Sequence, residues 1–346
     1  MGKYSLESYE RYQMVKCRPL EKAEAEGTSV FETVRVVLGG ERPVLGKRTL
    51  LEVFVPGESI TSLPTSMPET ESSLRSLAAR YYRDPQVIGV TLIMDANTAN
   101  KRRLYETAAE AFAPKRYYVP VEDGEQLDYA LKHGFVGGLV ATVGENIYDT
   151  CEAFAKNNAQ QLFKQMPVLV RFLKGNARAA DYAAAWHAEA VEGAKTLAGW
   201  RIALRRLVYP KTVSSGGYAP MRFWWTNRGP SFCHEETEVR LRLEKEGRYT
   251  SIALKDHPSK IHLADRVYNE IVKLPKVESG VYRLEYGLFL KTGEPLSLAH
   301  GGETADGYYY ADVMTFDDTP RPEFETLWDD FFEDGYYPLE DPKQPV

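Results

Sequence analysis

Two carboxylates stand where strand-like runs end. Asp95 follows the near-continuous apolar run 87–94 (VIGVTLIM), in Ile93-Met94-Asp95-Ala96-Asn97. Glu145 follows the run 135–143, in Val143-Gly144-Glu145-Asn146. Acids at the C-terminal ends of parallel strands line the rim on which α/β barrels build their sites. Two carboxylates about 5 Å apart can hydrolyse a glycoside with retention, one as acid/base and one as nucleophile. Each position also has a structural use. Asp95 can cap a helix over 98–113, Glu145 can be a solvated loop acid, and Asp149 is the expected N-cap of the next helix. Asn97 and Asn146, beside the two acids, are candidates for ligand contact.

Other chemistries find less support. No Ser, Cys or Lys nucleophile motif is present, and Gly137-Gly138 lies in neither a GxGxxG nor a GxxxxGK(S/T) loop. His133 and His187 fall in predicted helices and read as packing or surface residues. His234-Glu235-Glu236, beside Cys233, has no fourth ligand at suitable spacing, so neither a metal nor a cofactor is expected. Cys17, Cys151 and Cys233 are odd in number and scattered, which is no disulfide framework.

The elements that must position these residues change character near residue 200. Strand-like runs at 50–55, 87–94, 117–121, 135–143 and 168–172 alternate with helical periodicity at 70–83, 98–113, 124–133, 149–165 and 178–196. Such alternation implies a parallel sheet with right-handed crossovers. A closed eight-stranded barrel takes ~250 residues, with ~200 as its lower bound. Five clear strands and a weaker candidate at 9–16 therefore predict a (β/α)8-like barrel that is either incomplete or has two strands where the pattern does not show them. After Trp200 the period becomes two, with runs at 201–209, 221–225, 238–243, 249–254, 267–274, 281–290 and 309–316. Seven short strands separated by Gly, Pro, Asn and Asp predict a β-sandwich. The expected domains are 1–200, 201–320, and an acidic, aromatic tail, 321–346. The tail has eight acids against Arg321 and Lys343, a net charge of −6. Its Phe324, Leu327, Trp328, Phe331 and Phe332 are too apolar for a solvated tail, so it is expected to dock.

Composition narrows the partners. The 346 residues are 43% hydrophobic and 27% charged, so a large core is available. A net charge of −6 with no basic run argues against nucleic acid. No apolar stretch approaches the roughly 20 residues of a membrane span. The opening MGKYSLESYERYQ lacks an apolar h-region, so a cytoplasmic, reducing location is expected. The 22 Tyr and 5 Trp suit a sugar-handling protein.

The segments 217–247 and 279–316 carry a Trp225-x-Asn227-x-Gly229 turn, a Gly280-x-Tyr282-x-Leu284 strand, Gly293-x-Pro295 before Leu298-Ala299, and Gly307-Tyr308-Tyr309. In these features the chain resembles glycoside-hydrolase-like proteins in which a β-galactosidase-type barrel precedes an immunoglobulin-like sandwich. Arg11, Tyr12, Leu20 and Glu21 echo the same group's Arg-aromatic and Leu-Glu-Pro signature, although Pro19 precedes the Leu-Glu here. The resemblance implies catalytic glutamates at the ends of the fourth and seventh barrel strands. Asp95 stands at the first position and Arg171 at the second. Arginine is a permanent cation and cannot be a nucleophile. The implied pair is thus degraded, with Arg171 expected to pair with Asp95, Glu145 or a ligand acid. Arg11, Asn97, Asn146 and Arg171 are then the ligand-binding candidates. The expectation is a protein that binds carbohydrate or a partner at the old barrel mouth; the alternative is an active glycoside hydrolase using Asp95 and Glu145.

Overall fold

The computed structural model describes residues 12–16, 30–38, 43–46, 48–55, 67–81, 84–94, 100–112, 117–144, 146–172, 179–193, 198–234, 236–254 and 266–319. The chain divides into two compact units. One comprises 27–200 with 229–234, and the other 1–26, 201–228 and 235–346.

The first unit is a parallel sheet of seven strands: β2 (Val30–Val37), β3 (Thr49–Val55), β4 (Val87–Met94), β5 (Tyr118–Pro120), β6 (Gly138–Val143), β7 (Val168–Phe172) and β8 (Ala190–Glu192). Their order is β4-β3-β2-β8-β7-β6-β5, and a parallel bridge from Val90 to Tyr117 brings the two outer strands together. The sheet is therefore barrel-like and nearly closed. Helices α1 (Met67–Tyr81), α2 (Lys101–Phe112), α3 (Gly124–His133), α4 (Ile147–Lys156) and α5 (Ala179–Ala185) alternate with the strands. The local signals are plain at α3. Asp123 accepts from the Gln126 amide at 2.9 Å, and Gly134, at φ 72°, ends the helix in the left-handed region that glycine adopts without cost.

Alternation along each strand separates two cores. Outward residues such as Leu51, Val53, Val90, Leu139 and Val170 pack with helix residues including Leu74, Leu104, Phe112 and Leu127. Inward, Phe31, Leu50, Ile88, Tyr118, Val140, Leu169 and Ala190 form one apolar layer, one residue per strand. The Tyr118 ring is wedged between two glycines: a Cβ on Gly89 would meet it at 2.3 Å and one on Gly138 at 2.2 Å. Gly138 thus admits an aromatic ring. Gly138→Ala is expected to lower stability by about 1–3 kcal/mol through overpacking. Gly301→Ala, with nothing within 4 Å of its would-be Cβ, should stay within about 0.5 kcal/mol. Urea denaturation of both variants checks this, and equal losses would contradict it.

Three sequence expectations change here. The stretch 178–196 is not one helix: α5 ends at Ala185, His187 turns at φ 55°, and β8 follows. Its alanine-rich sequence has helical propensity, but pairing with both β2 and β7 overrides it. Strand β2 was not foreseen, because its inward polar residues Thr33 and Arg35 break the apolar run. The candidate strand near 9–16 is real but does not belong to the barrel: β1 (Tyr12–Lys16) pairs antiparallel with β9 (Ile202–Pro210).

The second unit holds two sheets. One runs β1-β9-β11-β14, with β11 (Tyr218–Asn227) and β14 (Arg266–Lys273). The other runs β10-β17-β15-β12-β13, built from β10 (Thr212–Ser214), β12 (Thr237–Lys245), β13 (Arg248–Ala253), β15 (Gly280–Leu290) and β17 (Tyr309–Asp317). A short β16 (Pro295–Leu296) pairs with β15. All pairings are antiparallel except β10 with β17. All seven runs read after Trp200 are strands. Trp225 is fully buried. Trp224 is 7% exposed, with the Arg205 guanidinium 4.5 Å from its ring.

Candidate functional site

Two residues beyond the apolar layer, toward the C-terminal ends of the strands, the barrel interior turns polar. The inward positions there include Thr33, Glu52, Thr91, Thr142, Arg171 and Glu192, with Pro120 on β5. Strand register fixes this set: Glu52 lies opposite Thr91, Thr142 opposite Arg171, and Phe31 of the apolar layer opposite Glu192.

Glu52 organises the layer. Its residue is 1% exposed, in the middle of a strand whose other members are apolar apart from Thr49. One carboxylate oxygen accepts from Arg35 Nε at 2.5 Å, and the other accepts from Arg171 Nη1. Arg171 Nε lies 3.5 Å from Glu192 Oε2, so one guanidinium bridges two acids. The Arg171 side chain is 15% exposed and that of Glu192 23%, whereas Arg35 is 63% exposed and reaches solvent. Burying a carboxylate costs several kcal/mol unless it is paired, and two guanidinium donors meet that demand. The Oγ1 atoms of Thr33 and Thr91 are buried without a hydrogen-bond partner among the described residues, leaving polar capacity in the same layer.

Glu122, just past β5, adds a further acid to this end of the sheet. Its Oε1 accepts from the Thr142 amide at 2.5 Å. The residue reaches solvent, yet the protein crowded round its carboxyl raises the pKa above its ordinary value. The Thr142 amide and, more weakly, Arg171 oppose that rise.

The structure thus places Arg171 inside the barrel-like sheet, on the C-terminal side, with Glu52 and Glu192 as its acids. Asp95 and Glu145, the partners expected from sequence, lie outside the described residues, as do Arg11 and Asn97. Asn146 is described: it caps α4, accepting from the Tyr148 amide at 3.2 Å and donating to Asp149 Oδ1 at 2.7 Å. Asp149, the expected cap, instead sits in the first turn. Sequence reasoning missed Glu52, Glu192 and Glu122. The signal for Glu52 was present: a lone acid at an inward position of LLEVFV must find a cation.

Among the described residues no three His, Cys, Asp or Glu converge as a metal site. Glu235 lies outside them. His234 belongs to the barrel unit, not to a loop of the sheets, and contacts Phe163 O at 3.0 Å and Glu189 Oε2 at 3.4 Å. His187 holds the same short segment, with Nδ1 2.6 Å from Pro230 O. Both histidines fasten 229–234 to the barrel unit.

No family model matches the chain, and no curated protein matches it. Among solved structures, Bacteroides uniformis beta-glucuronidase 2 matches at 10% identity over 78% of this chain and 39% of that one, with a TM-score of 0.28. Thermotoga neapolitana beta-glucosidase 3B matches at 10% identity over 89% and 52%, with a TM-score of 0.22. The CARDB domain of a Pyrococcus furiosus protein matches at 12% identity over 34% and 87%, with a TM-score of 0.19. The chain spans 39% and 52% of the two enzymes' lengths, and scores of this size assign neither family nor activity.

Proposed function

We propose that this is a glycoside-hydrolase-like protein that binds carbohydrate at the C-terminal end of its barrel-like sheet without cleaving it. The observation that carries the reading is the closed charge cluster, in which Arg171 occupies the barrel interior and engages Glu52 and Glu192. With one carboxylate oxygen on Arg35 and the other on Arg171, Glu52 has no oxygen free to attack a sugar. The layer still offers what a polyol needs, namely fixed acceptors, guanidinium donors and threonine hydroxyls around one interior. Asp95, Asn97, Asn146 and Glu145 remain proposed contacts, whereas Arg11 precedes β1, which pairs with β9 of the other unit.

Glu122 favours a second reading. A carboxyl with a raised pKa at the same end of the sheet is suited to protonate a leaving group, so a hydrolase with Glu122 as acid is the rival. A panel of nitrophenyl glycosides, run beside a glycan-binding array, separates the two. Binding without turnover is the expected result. Robust turnover abolished by Glu122→Gln, Asp95→Asn or Glu145→Gln would overturn it.

A further inference from the structure

Charge does not balance at the C-terminal end of the barrel-like sheet. The seven parallel strands carry two cations, Arg35 and Arg171. Glu52 engages both, one on each carboxylate oxygen. Glu192 is left with a share of Arg171, whose Nε stands 3.5 Å away and makes no hydrogen bond among the described residues. Glu122 holds the Thr142 amide through Oε1 and has no ion pair among the described residues. Three carboxylates thus stand against two guanidinium groups, and the side chain of Arg35 is 63% exposed. The acidic tail, 321–346, lies outside the described residues, so these charges are counted within the barrel unit alone.

A carboxylate sheltered from water and short of a cation is costly until a cation or a proton reaches it. Glu122 shows the second route: burial raises its pKa against the opposing pull of the Thr142 amide and Arg171. A separate demand comes from Thr91. It is 0% exposed, and its Oγ1 has no hydrogen-bond partner among the described residues. Thr91 stands opposite Glu52 in the register of β4 and β3, so it shares the inward face from which Glu52 meets Arg171. An unpaired buried hydroxyl is a place that a ligand hydroxyl can fill.

We infer that the ligand is a carbohydrate bearing a free amine, an inference that rests on the carbohydrate-binding reading of this same end of the sheet. An ammonium group supplies the cation that Glu122 and Glu192 lack, with three donors for carboxylate oxygens. Ring hydroxyls both donate and accept, which suits Thr91 Oγ1 and the unpaired Arg171 Nε–H. Acetylating the amine removes its charge and with it the match to the acids. A sugar acid fits worse still, since it brings a fourth carboxylate to an end whose two guanidinium groups are already engaged.

Titration calorimetry on the full chain at mildly acidic pH tests this with three tetrasaccharides, of glucosamine, of N-acetylglucosamine and of glucose. The glucosamine tetramer is expected to bind about tenfold or more tighter than either neutral one, the size of a charge-assisted hydrogen bond. Tetralysine, a cation without ring hydroxyls, is expected not to displace it at equal concentration. Glu122→Gln keeps an acceptor for the Thr142 amide and should reduce the preference to within about threefold of neutral sugar. Asp128→Asn removes the same charge from an exposed site on α3 and should leave the preference as it is. Neutral tetramers that bind as tightly as the glucosamine tetramer would overturn the inference and leave the carbohydrate reading standing. Displacement by tetralysine, or an unchanged preference in Glu122→Gln, would overturn it in the same way. If none of the three sugars binds, the carbohydrate reading itself fails and the inference falls with it.

Discussion

Glu52→Ala is expected to cost about 3–5 kcal/mol, because it strands the Arg171 guanidinium inside the barrel-like sheet with only the longer Glu192 contact. The loss is larger than the pair's net worth. Removing one partner leaves an uncompensated buried charge, whereas replacing both removes the demand altogether. Glu52→Leu/Arg171→Met should therefore recover most of the stability lost by the single change. Chemical denaturation of the three proteins measures this directly. Equal destabilisation by the single and double variants would mean that the cluster contributes through packing and not through charge. The comparison also bears on function. If the ion pair is what closes the site, carbohydrate binding should respond to Arg171→Met while no hydrolysis emerges.

The second large effect is expected at Trp225. It is fully buried on β11, and the register slips beside it between Trp224 and Trp225. Trp225→Ala removes one of the largest buried side chains of the molecule and should cost about 3–5 kcal/mol. Trp224→Phe keeps an aromatic face beneath Arg205 and changes the volume less, so a loss below about 1.5 kcal/mol is expected. The melting temperatures of the two variants provide the measurement. The opposite ranking would show that the bulge shifts the core to Trp224.

Much of the architecture is legible in the sequence because periodicity is a local consequence of burial. The run 87–94 is apolar apart from Thr91 because both faces of β4 are covered, by helices outside and by the inward layer within. The alternating runs after Trp200 became strands for the same reason, one face of each meeting a core. A charged residue was also readable as a problem to be solved: Arg171 at the end of VLV had to find acids. Which acids was not readable. Glu52 lies 119 positions away in sequence, and only the parallel order β3-β2-β8-β7 wraps the sheet so that the two strands face each other across its interior.

The same limit governs the short elements. β8 has three residues and too little sequence to show a period, and its identity as a strand comes from pairing on both sides. β1 reads as any amphipathic strand, and nothing local reveals that it joins β9 instead of the parallel sheet. Local sequence determined where the chain turns, which faces are apolar and which side chains carry charge, since those follow from dihedral preference and solvation residue by residue. Tertiary structure alone decided which charges meet, because ion pairing depends on distance in space, and a sheet brings together residues that the chain separates.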